Sequence, residues 1–241
     1  MQDIQLDFKH YLGLLVLVVL GFVVYYYKPS VSPSTAIGAS RSTPVFLGSF
    51  DTVSDIDAND LSIIGNYAYL VTANNTSANP EFYIVNVTTS TQPMLLSSLN
   101  IGTAVAKIIV SGNYAYLLTS QNTGELVVVD ITNKAAPIIA STFDIPGTVN
   151  PLSLFAVNST LYVGTANNTN VGGNELYVLN ASSTNAISIL GSYEVGANVD
   201  SIVVRGDKAY LGTNHNSKEI EVLNIASPSV ITEAASYDLP G

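Results

Sequence analysis

The chain of 241 residues has no cysteine, no tryptophan and only two histidines, His10 and His215. Without cysteine there are no disulfides and no thiolate metal sites, and two histidines cannot build a centre of several imidazole ligands. A histidine-based triad would have to use His215, in the polar stretch Thr213-Asn214-His215-Asn216-Ser217, and no nucleophile elbow accompanies it. No P-loop or dinucleotide fingerprint follows any apolar run. Charged residues make up 11% of the chain while 47% are hydrophobic, which is not the balance of a disordered polypeptide. Cations are scarcest, eight against eighteen acidic residues. Lys9, Lys28 and Arg41 against Asp3 and Asp7 leave +1 ahead of Thr43, so the remainder carries −11. A surface of that sign repels phosphate backbones and argues against a nucleic-acid partner.

What is present first is an uncharged apolar run, Tyr11–Tyr27, bounded by Lys9-His10 and Lys28. As a helix it spans roughly 25 Å, slightly less than a hydrocarbon core, and Tyr25-Tyr26-Tyr27 suits the lipid–water interface. Residues 1–28 are therefore expected to be one N-terminal transmembrane anchor helix, with 29–43 a Pro/Ser-rich tether. A cleaved signal peptide is the rival, since Ile37-Gly38-Ala39 offers small residues, but the leader has two aspartates rather than a basic cluster. The low-charge remainder is expected on the extracytoplasmic side of a cell membrane, as a single-pass protein.

From residue 44 onward the chain echoes itself. Gly65-Asn66-Tyr67-Ala68-Tyr69-Leu70 returns as Gly112-Asn113-Tyr114-Ala115-Tyr116-Leu117, as Ser159-Thr160-Leu161-Tyr162-Val163 and as Gly206-Asp207-Lys208-Ala209-Tyr210-Leu211. Tyr69, Tyr116, Tyr162 and Tyr210 are spaced 47, 46 and 48 residues apart. Units of that period, rich in β-formers, predict propeller blades. The fold class expected is all-β, about four visible four-stranded blades near 51–99, 100–143, 144–193 and 194–241, either complete or part of a longer propeller. The repeated tyrosines read as packing between blades. The first and third segments of each unit are nearly continuous apolar runs, as for strands covered on both faces. Thr72-Ala73-Asn74-Asn75-Thr76 and Thr165-Ala166-Asn167-Asn168-Thr169, 93 residues apart, add a two-blade period.

Glu125-Leu126-Val127-Val128-Val129-Asp130-Ile131, after the Gly-Asn-Tyr-Ala-Tyr-Leu turn and before Pro137, resembles the LVIVD-repeat β-propeller pattern. Phe82–Val87, Leu176–Asn180 and Ile220–Ile225 are looser copies with Asn for Asp. The resemblance implies a surface or secreted propeller and transfers no catalytic residue. One count is awkward: Pro44–Phe50, Pro93–Leu99, Pro137–Phe143, Ile187–Tyr193 and Val230–Leu239 all look like outermost strands, five for four blades. A spare strand open to strand addition, a longer propeller and an open array each account for it.

Two kinds of site are expected. Asp55, Asp57, Asn59 and Asp60 place oxygen ligands at alternate positions of a loop entering the first strand, a calcium-like set, although Asp60 stands where a calcium loop needs glycine. Asn74, Asn75, Asn86, Asn158, Asn167 and Asn180 each open an Asn-x-Ser/Thr glycosylation triplet, with Asn74, Asn75 and Asn167 in the long loops. No other cofactor is expected. Three functional readings follow: a membrane-anchored, non-enzymatic surface interaction, adhesion or envelope module with a protein or glycan partner; a self-assembling filament or layer subunit; and a polysaccharide hydrolase or lyase with a loop-borne acidic site.

Overall fold

The computed structural model describes residues 45–52, 56–73, 79–147, 150–167 and 173–240. The anchor helix and tether expected over 1–43 lie outside the described residues, and among the described residues no helix is long and apolar enough to cross a membrane. Among the described residues sixteen strands form four four-stranded antiparallel sheets, each a meander in chain order. The first blade is β1 (Ala58–Ile64), β2 (Tyr67–Thr72), β3 (Phe82–Asn86) and β4 (Met94–Leu99). The second is β5 (Val105–Ser111), β6 (Tyr114–Thr119), β7 (Leu126–Asp130) and β8 (Ile138–Phe143). The third is β9 (Pro151–Val157), β10 (Thr160–Thr165), β11 (Leu176–Asn180) and β12 (Ser188–Tyr193). The fourth is β13 (Val199–Arg205), β14 (Lys208–Thr213), β15 (Ile220–Asn224) and β16 (Thr232–Tyr237). Strand segments expected from the echo thus match to within about two residues at most boundaries. The exception is residues 45–50, expected as an outer strand, which form none.

Local chemistry explains why each unit folds alike. The first hairpin turns on a residue with positive φ: Gly65 at 59°, Gly112 at 61°, Gly206 at 59°, and Asn158 at 53° in the third unit. Asparagine is the side chain that best tolerates that backbone, so the weak third echo keeps the turn. At the end of every third strand an Asp or Asn closes an Asx turn. Asn86, Asp130, Asn180 and Asn224 accept from the amides of Thr88, Thr132, Ser182 and Ala226 through Oδ1. Only an acceptor oxygen is required, which is why Asn replaces Asp in three blades. Hydrogen bonds from the side chain of Thr132 and from its amide hold the Asp130 carboxyl below its ordinary pKa.

Blades join through apolar layers. Tyr69, Val71, Phe82 and Ile84 pack on Val105, Ile108, Leu117 and Val129 of the second blade. Tyr116, Leu118, Leu126 and Val128 likewise meet Leu161, Val163 and Leu179, and Tyr162, Leu176 and Val178 meet Ile202, Leu211 and Leu223. The third strands of the first three blades are almost wholly buried, as expected, but β15 is only partly buried and β1 is largely exposed. Of the four marker tyrosines, Tyr69, Tyr116 and Tyr162 are buried and Tyr210 is exposed. The reason is the same at both ends. Inner strands pack β1 on β5, β5 on β9 and β9 on β13, and β1 has no comparable joint with β13, so the blades form a row with two free ends.

A recurring acid pins each crossover to the next blade. Glu81, Glu125, Glu175 and Glu219 stand one residue ahead of the third strand. Glu81 Oε2 accepts from the amides of Ile101 and Gly102 at 2.7 and 3.0 Å, and Glu175 Oε2 from Val195 and Gly196 at 2.8 and 2.9 Å. Glu125 takes the amide of Ile145 and Glu219 that of Leu239. The position after these carries Pro146 or Pro240, which have no N–H to give. Glycine and proline thus alternate at this place, a second mark of the two-blade period.

Burial pushes the Glu125 carboxyl above its ordinary pKa, its amide partners pull it down, and nearby Asp144 adds to the rise. A raised carboxylate contributes stability below its unfolded-state pKa, and that contribution is lost as pH rises through the folded-state value. Replacing Glu81 or Glu175 with Ala strands two amides and is expected to cost about 2–4 kcal/mol in urea unfolding, more than Glu219→Ala at the exposed end of the row. Glu125→Gln keeps the acceptor for Ile145 without the charge. Its melting temperature relative to the parent is expected to climb as pH rises above about 4.3 toward neutrality; a difference that stays flat across that window overturns the assignment.

Candidate functional site

A meander puts its second-to-third-strand loops and its crossovers at one end of the blades, and its two other hairpin turns at the opposite end. Each end has a shallow cavity. At the crossover end a polar cavity of about 370 Å³ lies between the third and fourth blades, lined by Asn167, Gly196, Ala197, Asn214, His215 and Asn216. Three asparagines tie its walls. The amide of Asn167 donates to Asn198 Oδ1 at 2.8 Å, the amide of Asn198 to Asn214 Oδ1 at 2.8 Å, and Asn167 Nδ2 to the Gly196 carbonyl at 2.7 Å. At the hairpin end a cavity of about 400 Å³ opens between the second and third blades beside Asn113, Tyr114, Asn158 and Ser182.

His215 is a turn residue. Its Nδ1 faces both the amide and the hydroxyl of Ser217 at 3.2 Å, and its own amide donates to Thr213 Oγ1. Accepting from a main-chain amide makes Nδ1 the unprotonated nitrogen of the neutral ring, leaving the N–H on Nε2. The serine therefore meets His215 inside a solvent-exposed turn, two residues away in sequence.

Two of the four residues expected to gather a cation serve the first joint between blades. Asp55 lies outside the described residues. Asp57 is exposed and its carbonyl receives the amide of Ala73. The other two are not in a loop: Asn59 and Asp60 belong to β1. Asn59 Nδ2 donates to the Val105 carbonyl at 2.8 Å. Asp60 accepts from Leu61 through Oδ1 and from the Ile108 amide through Oδ2, both at 2.9 Å. Side chains at every second position of an extended strand share a face but stand roughly 6.6 Å apart, so their oxygens do not converge as they do on a curled loop. Among the described residues no three His, Cys, Asp or Glu side chains are grouped to hold a metal ion.

The glycosylation triplets divide in the same way. Asn74 and Asn75 lie outside the described residues. Asn86 and Asn180 end third strands with Oδ1 in the Asx turn, Asn158 supplies the positive-φ turn, and Asn167 is in the cavity wall with Nδ2 bonded to Gly196. Sequence reasoning missed the buried glutamates. The signal was there: a glutamate directly ahead of each third strand in all four units.

Comparison with known proteins supports the fold. The LVIVD repeat family matches residues 57–100 and 102–145, the first two blades. No curated protein matches the chain in sequence. Among solved structures, the computationally designed Ika4 protein aligns with TM-score 0.56 and 14% identity, over 76% of this chain and 100% of its own. A candidate 6-phosphogluconolactonase from Bacteroides uniformis aligns with TM-score 0.62 and 11% identity, over 77% of this chain and 56% of its own. A functionally unknown protein from Desulfotomaculum acetoxidans aligns with TM-score 0.56 and 18% identity, over 74% of this chain and 55% of its own. The chain therefore spans all of the first and little more than half of the other two, and at these identities the likeness is one of fold.

If Asp60 is a joint residue, removing its acceptor matters and its charge does not. Asp60→Ala is expected to cost about 1–2 kcal/mol of folding stability, while Asp60→Asn keeps most of it. Millimolar calcium should shift the melting of neither the parent nor Asp60→Asn; a calcium-dependent rise confined to the parent restores the cation reading.

Proposed function

We infer that the repeat domain is a non-enzymatic interaction module, held outside a cell membrane by residues 1–43 and offering its blades to a protein or glycan partner. One observation carries the reading. Glu81, Glu125, Glu175 and Asp60 are engaged with main-chain amides of the scaffold and the buried Glu221 with the Tyr193 hydroxyl, whereas apolar blade faces are open at both ends of the row. Glu81, Glu125 and Glu175 each bridge to a crossover, and Asp60 bridges two blades. The one histidine of the domain closes a turn on Ser217. The domain's charge of −11 keeps anionic headgroups and nucleic acids away and favours neutral or cationic partners. The polar cavity among Asn167, Asn214 and Asn216 suits hydrogen bonding to hydroxyl groups.

A self-assembling surface subunit is the second reading, favoured by the same open end faces. The likeness to a candidate lactonase supports neither, because at 11% identity it is a likeness of fold alone.

Cell fractionation tests the proposal. The full chain is expected to remain in the membrane pellet after alkaline washing, and protease added to intact cells is expected to release the repeat domain. Full protection of the domain in intact cells, with cleavage only after lysis, overturns it.

A further inference from the structure

Three joints between blades are complete, and the two ends of the row each carry half of a fourth. Strand registers make the counterparts explicit, with Tyr162 opposite Phe155 as Tyr210 is opposite Val203. Tyr162 and Leu176 are 7% and 0% exposed beneath the fourth blade, while their counterparts Tyr210 and Ile220 are 41% and 40% exposed. At the other end Leu61 and Ile63 are 51% and 58% exposed, where their counterparts Ile108 and Val110 are each 7%. These are the surfaces on which blades of this chain already pack.

The segment ahead of β1 adds an independent observation. Leu47-Gly48-Ser49-Phe50 repeats Leu190-Gly191-Ser192-Tyr193 of β12. Each of the first three outer strands presents one residue to a carbonyl in the third-to-fourth-strand turn of the following blade. Ser97 donates its hydroxyl to the Lys134 carbonyl at 2.6 Å, and Ser141 donates to that of Thr184. Gly191 lies so close to the Pro228 carbonyl that a Cβ could not fit. Lys134, Thr184 and Pro228 stand four residues past Asp130, Asn180 and Asn224, and the same position in the first blade, four past Asn86, is Ser90. Gly48 lies against it: a Cβ there would sit 2.8 Å from the Ser90 carbonyl oxygen and 2.9 Å from that of Thr91. Residues 47–50 are thus seated as the fourth strand of a blade that precedes β1. All sixteen described strands already belong to complete sheets, so none of them is the third strand that this segment would pair with.

We propose that this end of the row is the docking site for a three-stranded antiparallel unit of the same repeat. Its third strand pairs with Leu47–Phe50 by strand addition, and its apolar face closes over Leu61 and Ile63. The occupant is three-stranded because the fourth place is filled. An intact second copy is disfavoured for that reason: its last blade brings Thr232–Tyr237, with Ala235 at the place of Gly48, and two outer strands would compete for one position on Ser90. The inference stands whether or not the domain is membrane-tethered.

The test uses the full chain with a second copy of residues 198–230, three strands and their turns, inserted between Thr43 and Pro44. Hydrogen exchange is expected to show the amides of residues 47–50 slowed at least about 100-fold relative to the parent, with Leu61 and Ile63 protected alongside. A folded insert whose presence leaves residues 47–50 exchanging as in the parent overturns the proposal. Should the insert not fold, Gly48→Val in the parent decides: faster exchange confined to residues 47–50 supports the seating on Ser90, and no change overturns it. Sedimentation of the parent is expected to give a monomer; a concentration-dependent dimer that protects Leu61 and Ile63 makes a second copy the occupant and overturns the three-stranded unit.

Discussion

The row of blades depends on carboxylates that fasten one blade to the way into the next. Each crossover from an outer strand to the following inner strand would otherwise leave main-chain amides without partners. A glutamate ahead of the third strand reaches them 20 residues on, buried in the first three blades and half-buried in the fourth. A buried carboxylate accepting two amides is a strong, directional tie, and it places the next blade where its apolar face can pack. Apolar layers supply most of the driving force for joining blades, but they are not directional. The glutamate and the outer-strand latch on the following turn supply the direction.

Glu81, Glu125 and Glu175 are engaged where the backbone changes sheets, and several asparagines are engaged where it changes direction. Asp60 and Asn59 are informative because their spacing suggests a ligand set. Their place on a strand edge turns them instead toward Val105 and Ile108 of the neighbouring blade. The surfaces left open are the asparagine-walled cavity at the crossover end and the two half-joints at the ends of the row.

Much of this was legible in the residues. The tyrosine period and the Gly-Asn turns are local signals and needed no partner to be read, so strand positions followed closely. The family resemblance rested on Glu125–Ile131, and that stretch became a buried third strand with its Asx turn. Less legible were the glutamates, since a single Glu before a strand looks like a solvated turn until the crossover 20 residues later is seen to converge on it. The exposure of Tyr210 was unreadable for a different reason. Its surroundings, Ala209-Tyr210-Leu211, match Ala115-Tyr116-Leu117, and what distinguishes them is that no further blade packs on it among the described residues.

By itself, the sequence determined the repeat unit: which segments are strands, where they turn, and that four such units follow one another. Those properties arise from side-chain alternation, positive-φ turns and Asx turns, all within a few residues of one another. Only the tertiary structure decided which carboxylates are structural, which tyrosine lies open, and that residues 47–50 take an outer-strand place without a sheet to join. These depend on contacts between blades, over separations of 20 to nearly 50 residues, where the partner of a side chain is set by how sheets stack rather than by its neighbours along the chain.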